Sequence, residues 1–278
     1  MATTLRKIGN NCAGNDGSSS VDSFANQAIS MGAWVSGGVT VAADSLGNPT
    51  VASAAAFIGL AKIGLEGTYN ISYNSTTAVP LTATYGTISN AAFSSGLNTC
   101  VWTLPKSAGS INETNIQFAY SGATGGIQNF TVVRNTEQLL FSPTVVSGVS
   151  GPTGYITSAT YRSMVPSGVT LRFMDLADTN FNVQSSWSTR TLPASTNRAM
   201  LPIPQWSWEW MIKLSNELNT HMWICVPNNA DATYRTNLAN LFLYGSDGVN
   251  PYTSVQANPV WPPLNSNLNL YIEQANEV

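Results

Sequence analysis

The chain closes on Tyr271-Ile272-Glu273-Gln274-Ala275-Asn276-Glu277-Val278. This stretch reads as a short buried strand running into an Asn-Glu pair. A carboxylic acid at the C-terminal end of a strand, beside an amide, suits general acid/base work on a glycosidic bond. Glu277 is therefore the candidate catalytic residue. Such chemistry needs a second carboxylate from a later strand, and no later strand follows in this sequence. Glu273 lies four residues back on the same face, about 13 Å away at the rise of a strand, too far to be the partner.

Other residues with chemistry to offer lie upstream. Arg172 and Asp175 sit on an otherwise apolar strand, Leu171-Arg172-Phe173-Met174-Asp175. Asp175 at the strand end would line a sugar site; Arg172 needs a carboxylate partner, and an internal ion pair is the competing role. The loop that follows carries Asn180, Trp187 and Arg190, and the loop after the next strand carries Asn229 and Asp231. For Asp231 the favoured role is the N-cap of a helix starting at Ala232. Aromatic faces stack on pyranose rings, so Trp187 and Trp261, both in loop-like surroundings, are the better stacking candidates. Trp206 and Trp210, four apart, read as inward-facing residues of a helix.

Several chemistries are set aside by composition. His221 is the only histidine, which removes Ser-His-Asp catalysis and His-rich metal sites. Cys12, Cys100 and Cys225 have no CxxC spacing, so no metal and no cofactor is expected; buried thiols are favoured over a Cys12 to Cys100 bridge. Charged residues make up only 9% of the chain, against about 25% in ordinary soluble proteins. Eleven Lys plus Arg against fourteen Asp plus Glu give a net charge of -3 and no basic stripe, so nucleic acid and anionic membrane surfaces are disfavoured as partners. No run of about 18 apolar residues occurs, and none follows Met1 as a secretory signal would. A polar, uncharged surface of this kind suits extracellular β-rich and virion proteins.

Two halves with different rhythms must position these residues. Residues 1–25 are Asn-, Gly- and Ser-rich and read as a flexible or extended arm. Residues 26–137 carry β-branched and aromatic stretches at 32–42, 67–73, 79–85, 99–104, 115–119 and 128–134, separated by turn-rich pieces. Short strands at this spacing predict an antiparallel β-sandwich. In residues 138–278 the pattern changes. A helix is predicted over 155–165 with Met164 inward, then a strand at 169–175, a helix at 207–219, a strand at 222–227, a helix at 232–244 and a closing strand at 269–276. That alternation predicts parallel βα units, a partial TIM-barrel-like half, so the fold class expected is mixed. No Gly-rich phosphate loop follows any of these strands.

The C-terminal half resembles the first part of the barrel in bacterial retaining glycoside-hydrolase-like proteins. The segments that carry this are Leu171-Arg172-Phe173-Met174-Asp175 with Thr179-Asn180, Trp187 with Arg190, Lys213-Leu214-Ser215-Asn216-Glu217-Leu218 and Met222-Trp223-Ile224-Cys225-Val226-Pro227-Asn228-Asn229-Ala230-Asp231. Tyr234 and the terminal strand into Asn276-Glu277 complete the set. Glu66-Gly67-Thr68-Tyr69-Asn70-Ile71-Ser72-Tyr73 is similar to the sandwich that precedes such barrels. The resemblance implies a retaining mechanism with Glu277 as acid/base, a nucleophilic Glu about 5–5.5 Å away, and Asn276 holding the sugar hydroxyl beside the reacting carbon. The nucleophile's half of the barrel is not in this sequence.

Three functional expectations compete. One is an extracellular or virion-surface assembly protein, such as a phage tail, fibre or capsid component, with a carbohydrate-directed half. Another is a piece of a secreted retaining glycosidase. The third is a purely structural assembly protein. The partners expected are a polysaccharide together with other protein subunits or a missing C-terminal half, whose need follows from the open sheet edges of a half-barrel.

Overall fold

The computed structural model describes residues 10–11, 28, 31–58, 66–105, 116–136, 156–157, 159–195, 197–202 and 205–275. The described strands, in chain order, are β1 (Asn10–Asn11), β2 (Val35–Ser36), β3 (Val39–Thr40), β4 (Ala54–Phe57), β5 (Gly67–Asn74), β6 (Leu81–Ala83), β7 (Thr87–Ser94), β8 (Leu97–Leu104), β9 (Gln117–Tyr120), β10 (Gln128–Arg134), β11 (Thr170–Arg172), β12 (His221–Val226) and β13 (Leu270–Gln274). Three α-helices accompany them: α1 (Ala159–Met164), α2 (Trp208–Leu218) and α3 (Ala232–Tyr244). The fold is rich in sheet, and most of that sheet is antiparallel.

Two antiparallel sheets, ordered β10-β5-β8-β7 and β3-β2-β4-β9-β6, share one hydrophobic core. Alternation decides which side chains enter it. Along β5, Tyr69, Ile71 and Tyr73 are buried; along β8, Cys100, Trp102 and Leu104 are. They meet Ala54 and Ala56 of β4 and Phe118 and Tyr120 of β9 from the facing sheet. Trp102 and Phe118 pack edge to face across the gap, with ring centroids 5.0 Å apart. That geometry suits the aromatic quadrupoles.

The sequence expectations differ from this half in detail. The stretch 32–42 is two short strands rather than one, because a tight turn at Gly37 and Gly38 folds β2 back on β3. β4 and β7 were not expected. β7 reads Thr-Ile-Ser-Asn-Ala-Ala-Phe-Ser, a composition with little strand preference, and it is held in place by pairing with β8.

A third sheet is built differently. Its order is β1-β11-β12-β13, and every neighbouring pair runs parallel. Helix α2 lies in the connection from β11 to β12, and α3 in the connection from β12 to β13. Four strands among the described residues make an open sheet and do not close a barrel. Asn10 and Asn11, expected in a free arm, pair with Leu171 and Arg172 and so belong to this sheet. One of its faces carries Leu171, Phe173, Met222 and Ile224 into a core completed by α2 and α3.

Local signals explain both long helices. Ser207 caps α2 by accepting a hydrogen bond from the Trp210 N–H at 3.3 Å, and Asn219 ends it in the left-handed conformation, φ 51°. Asp231 caps α3 by accepting from the Tyr234 N–H at 2.7 Å. Tyr234, Leu238, Leu241 and Phe242 then form its buried stripe. Gly245 terminates α3 at φ 80°, where a Cβ would stand 2.1 Å from the Trp261 carbonyl oxygen, so only glycine fits. Helix α1 is shorter than expected, and Met164 is 63% exposed rather than inward.

The two halves touch through the segment before α2. Asn197 donates from Nδ2 to the Gly32 carbonyl at 3.2 Å, and the Met200 sulfur accepts the Trp34 N–H at 3.1 Å. Among the described residues no helix is long and apolar enough to cross a membrane.

Candidate functional site

The sequence places Asp175, Asn180, Trp187, Arg190, Asn229, Asn276 and Glu277 at or after the C-terminal ends of strands, and Trp261 in a loop. The structure buries Arg190, Trp187 and Trp261 as one group, leaves Asp175, Asn180 and Asn229 on turns and loops, and shows a separate exposed sheet face built largely from other side chains. The buried group lies beneath the loops. Arg190, expected to meet substrate, is fully enclosed and forms a bidentate ion pair with Glu209 of α2, at 2.7 and 3.0 Å. Its guanidinium also donates to the carbonyls of Thr191 and Val249, and it lies 4.3 Å over the ring of Trp187. Ser246 donates to the same Glu209 carboxylate at 3.0 Å. Arg190 is thereby consumed in pinning the 245–250 loop to α2.

Trp187 and Trp261 are corrections of the same kind. Both read as loop residues, and both are buried, at 7% and 3% exposure. Trp187 packs edge-on against Tyr234, centroids 5.3 Å apart, because the short 3-10 turn Trp187–Thr189 folds it back over α3. Trp261 lies against Trp210 and is held by reciprocal backbone hydrogen bonds with Ser246. Neither ring offers a face for stacking. Trp206 and Trp210 do pack inward together, centroids 5.7 Å apart.

Of the remaining candidates, Asp175 is half-buried in the turn after β11, where its carbonyl accepts the Asp178 N–H. Asn180 and Asn229 are exposed on their loops. Asn276 and Glu277 lie outside the described residues. Cys100 and Cys225 are free, buried thiols, and Cys12 is outside the described residues.

The exposed face is the side of the parallel sheet away from the helices. Register places Arg172, Trp223 and Tyr271 side by side on three neighbouring strands, with Cys225 and Glu273 in the next row. Trp223 is 38% exposed and Tyr271 47%. The Arg172 guanidinium sits 4.9 Å over the Trp223 ring. One oxygen of Glu273, Oε2, accepts three donors: Arg172 Nη2 at 2.8 Å, Trp223 Nε1 at 3.0 Å and the Cys225 thiol at 3.4 Å. Its other oxygen takes no hydrogen bond among the described residues.

Electrostatics follow from that arrangement. The hydrogen bond from Arg172 holds the Glu273 carboxyl below the usual carboxylate range, so it is ionised near neutrality. Burial, reinforced by that carboxylate, pushes the Cys225 thiol up to about 11, which leaves it protonated and a poor nucleophile. Among the described residues no group of acidic, His or Cys side chains is placed to hold a metal. The face can therefore offer an aromatic surface, a fixed cation and a carboxylate oxygen open to hydroxyl donors.

Sequence reasoning had given Arg172 its need for a carboxylate and had put Glu273 on the strand. It missed the Trp223 and Tyr271 pair, because which face of β12 the helices cover is decided by packing. The alternation of Met222 and Ile224 against Trp223 and Cys225 was the available signal. Compared with family models, curated proteins and solved structures, the chain finds no match. The glycoside-hydrolase resemblance thus rests on the segments quoted above alone.

Proposed function

We propose that this chain is an extracellular or virion-surface assembly protein, of the phage tail, fibre or capsid kind, whose C-terminal half is directed at polysaccharide. On this reading the parallel sheet is part of a glycoside-hydrolase-like (β/α) barrel, used to bind sugar. The observation that carries the reading is the row of Trp223 and Tyr271, two partly exposed aromatic rings in register, flanked by the Arg172 and Glu273 pair. Aromatic surface beside fixed polar groups matches the alternating apolar faces and hydroxyl edges of a pyranose chain. The assembly role is supported by exposed apolar side chains, Ile272 on the edge strand β13 at 67% and Phe181 and Val183 in the loop after β11 at 79% and 67%.

The test is a titration of intrinsic tryptophan fluorescence with soluble β-glucan and mannan oligosaccharides. Wild type should respond saturably, and Trp223→Ala should weaken binding by about fivefold, since an aromatic stacking contact is worth roughly 1 kcal/mol. Equal affinity in Trp223→Ala would overturn the reading. A second reading, a piece of a retaining glycosidase with Glu277 as acid/base, is favoured by one observation. β13 lies parallel beside β12 and ends at Gln274, two positions in sequence before Asn276. Oligosaccharide hydrolysis that disappears in Glu277→Gln would establish it, whereas binding without cleavage supports the first.

A further inference from the structure

The edge strands of the three sheets are not alike. β1 and β3 are two residues long and β6 three. β7 and β10 are longer, and each carries a register shift. β13 is the exception among the described edges: five consecutive residues, Leu270–Gln274, pair with β12 without a slip. It contains no proline and no lysine, residues that commonly blunt an edge. The Met222 N–H donates to the Asn269 carbonyl and the Ala275 N–H to the Val226 carbonyl, so residues 269, 271, 273 and 275 turn their backbone towards β12. The backbone groups of Leu270, Ile272 and Gln274 therefore point away from the sheet, and no described residue bonds them there.

The strand is also self-complementary. Antiparallel pairing about a two-fold axis at Ile272 sets Ile272 against its own copy, and Leu270 against Gln274 of the second copy, as hydrogen-bonded pairs. Tyr271 then faces Glu273 of the second copy in a non-hydrogen-bonded pair, where opposed side chains lie closest. Tyr271 is 47% exposed, and its hydroxyl has no partner among the described residues. Glu273 has Oε1 open, because its three donors converge on Oε2. This one register gives each Tyr271 hydroxyl a carboxylate acceptor and covers Ile272, 67% exposed, at the axis.

We propose that β13 pairs antiparallel with β13 of a second copy of this chain, joining two four-stranded parallel sheets into one continuous sheet. The proposal rests on the assembly part of the reading above and names its partner. A foreign strand would find the same outward backbone groups, but not the reciprocal Tyr271 and Glu273 pairs.

Sedimentation velocity of the full chain from about 1 µM to about 1 mM, the span of weak association, tests the pairing. Wild type should pass reversibly from monomer to dimer, with amide exchange at 270–274 slowing as the dimer forms. Ile272→Lys sets two ammonium groups against each other at the axis and should weaken the dimer by about tenfold or more. Tyr271→Phe keeps the ring and should weaken it by about fivefold, two hydrogen bonds being lost per dimer. Circular dichroism checks that both variants fold. A chain monomeric at every concentration overturns the pairing together with self-assembly, and amides at 270–274 already slow in that monomer would mean that the chain covers its own edge. Association that either variant leaves undiminished overturns this register alone. The saccharide titration of Ile272→Lys should match wild type, so the carbohydrate reading stands or falls separately.

Discussion

Arg190 and Glu209 show how a residue's chemistry can be legible while its use is not. A guanidinium and a carboxylate enclosed at 0% exposure are tolerable only as a pair, because each alone would carry an uncompensated charge in a low-dielectric interior. Replacing one partner should therefore cost far more than the pair contributes. Arg190→Met is expected to lower stability by about 3–5 kcal/mol, and Arg190→Met with Glu209→Leu to recover a large part of that. Urea unfolding of the two variants measures both values. Equal losses in the single and double variants would mean that the packing around Trp187, rather than stranded charge, governs the site. From sequence alone Arg190 was a polar residue in a Trp-rich loop, which fits a binding site as well as an internal strut. Nothing in its neighbours announces that Glu209, nineteen positions later on α2, turns inward to meet it.

At the scale of elements, chain punctuation was the most readable part. The helices expected at 207–219 and 232–244 are observed as Trp208–Leu218 and Ala232–Tyr244, because Ser207 and Asp231 cap them and Asn219 and Gly245 end them. Gly245 gives a sharp test. Gly245→Ala forces a Cβ to within 2.1 Å of the Trp261 carbonyl, whereas a Cβ at Gly37 meets nothing within 4 Å. Both have positive φ, so Gly37→Ala should cost only the left-handed penalty of about 1–2 kcal/mol. Gly245→Ala should cost clearly more, and thermal melts of the pair will rank them. A smaller loss at Gly245 would mean that the 261–263 segment yields easily. The strands were less readable for a physical reason. β7 and β4 exist through their partners, and their Ala, Ser and Asn side chains say little about pairing. The same holds for the candidate face: alternation along β12 shows two sides, and only the docking of α2 and α3 decides which one stays open.

For the whole molecule, the pairing of β1 with β11 ties the start of the chain to its second half. The contacts of Asn197 and Met200 with Gly32 and Trp34 tie the two halves again. Deleting residues 1–11 removes β1 and bares the edge of β11. The truncated chain is expected to melt at lower temperature and to self-associate, as light scattering would register. Unchanged melting and monodispersity would show that β1 adds nothing to the sheet. The edge at β7 is guarded differently. β7 closes its sheet with nearly every side chain in water, yet its pairing register with β8 slips between Ser89 and Ala92, and Asn90 there stands at φ 52°. That kink splits an eight-residue comb of amide groups into two short lengths. A foreign strand can zip onto neither for long, so the molecule resists templated fibril growth at the place where its composition, uncharged and rich in small residues, would otherwise invite it.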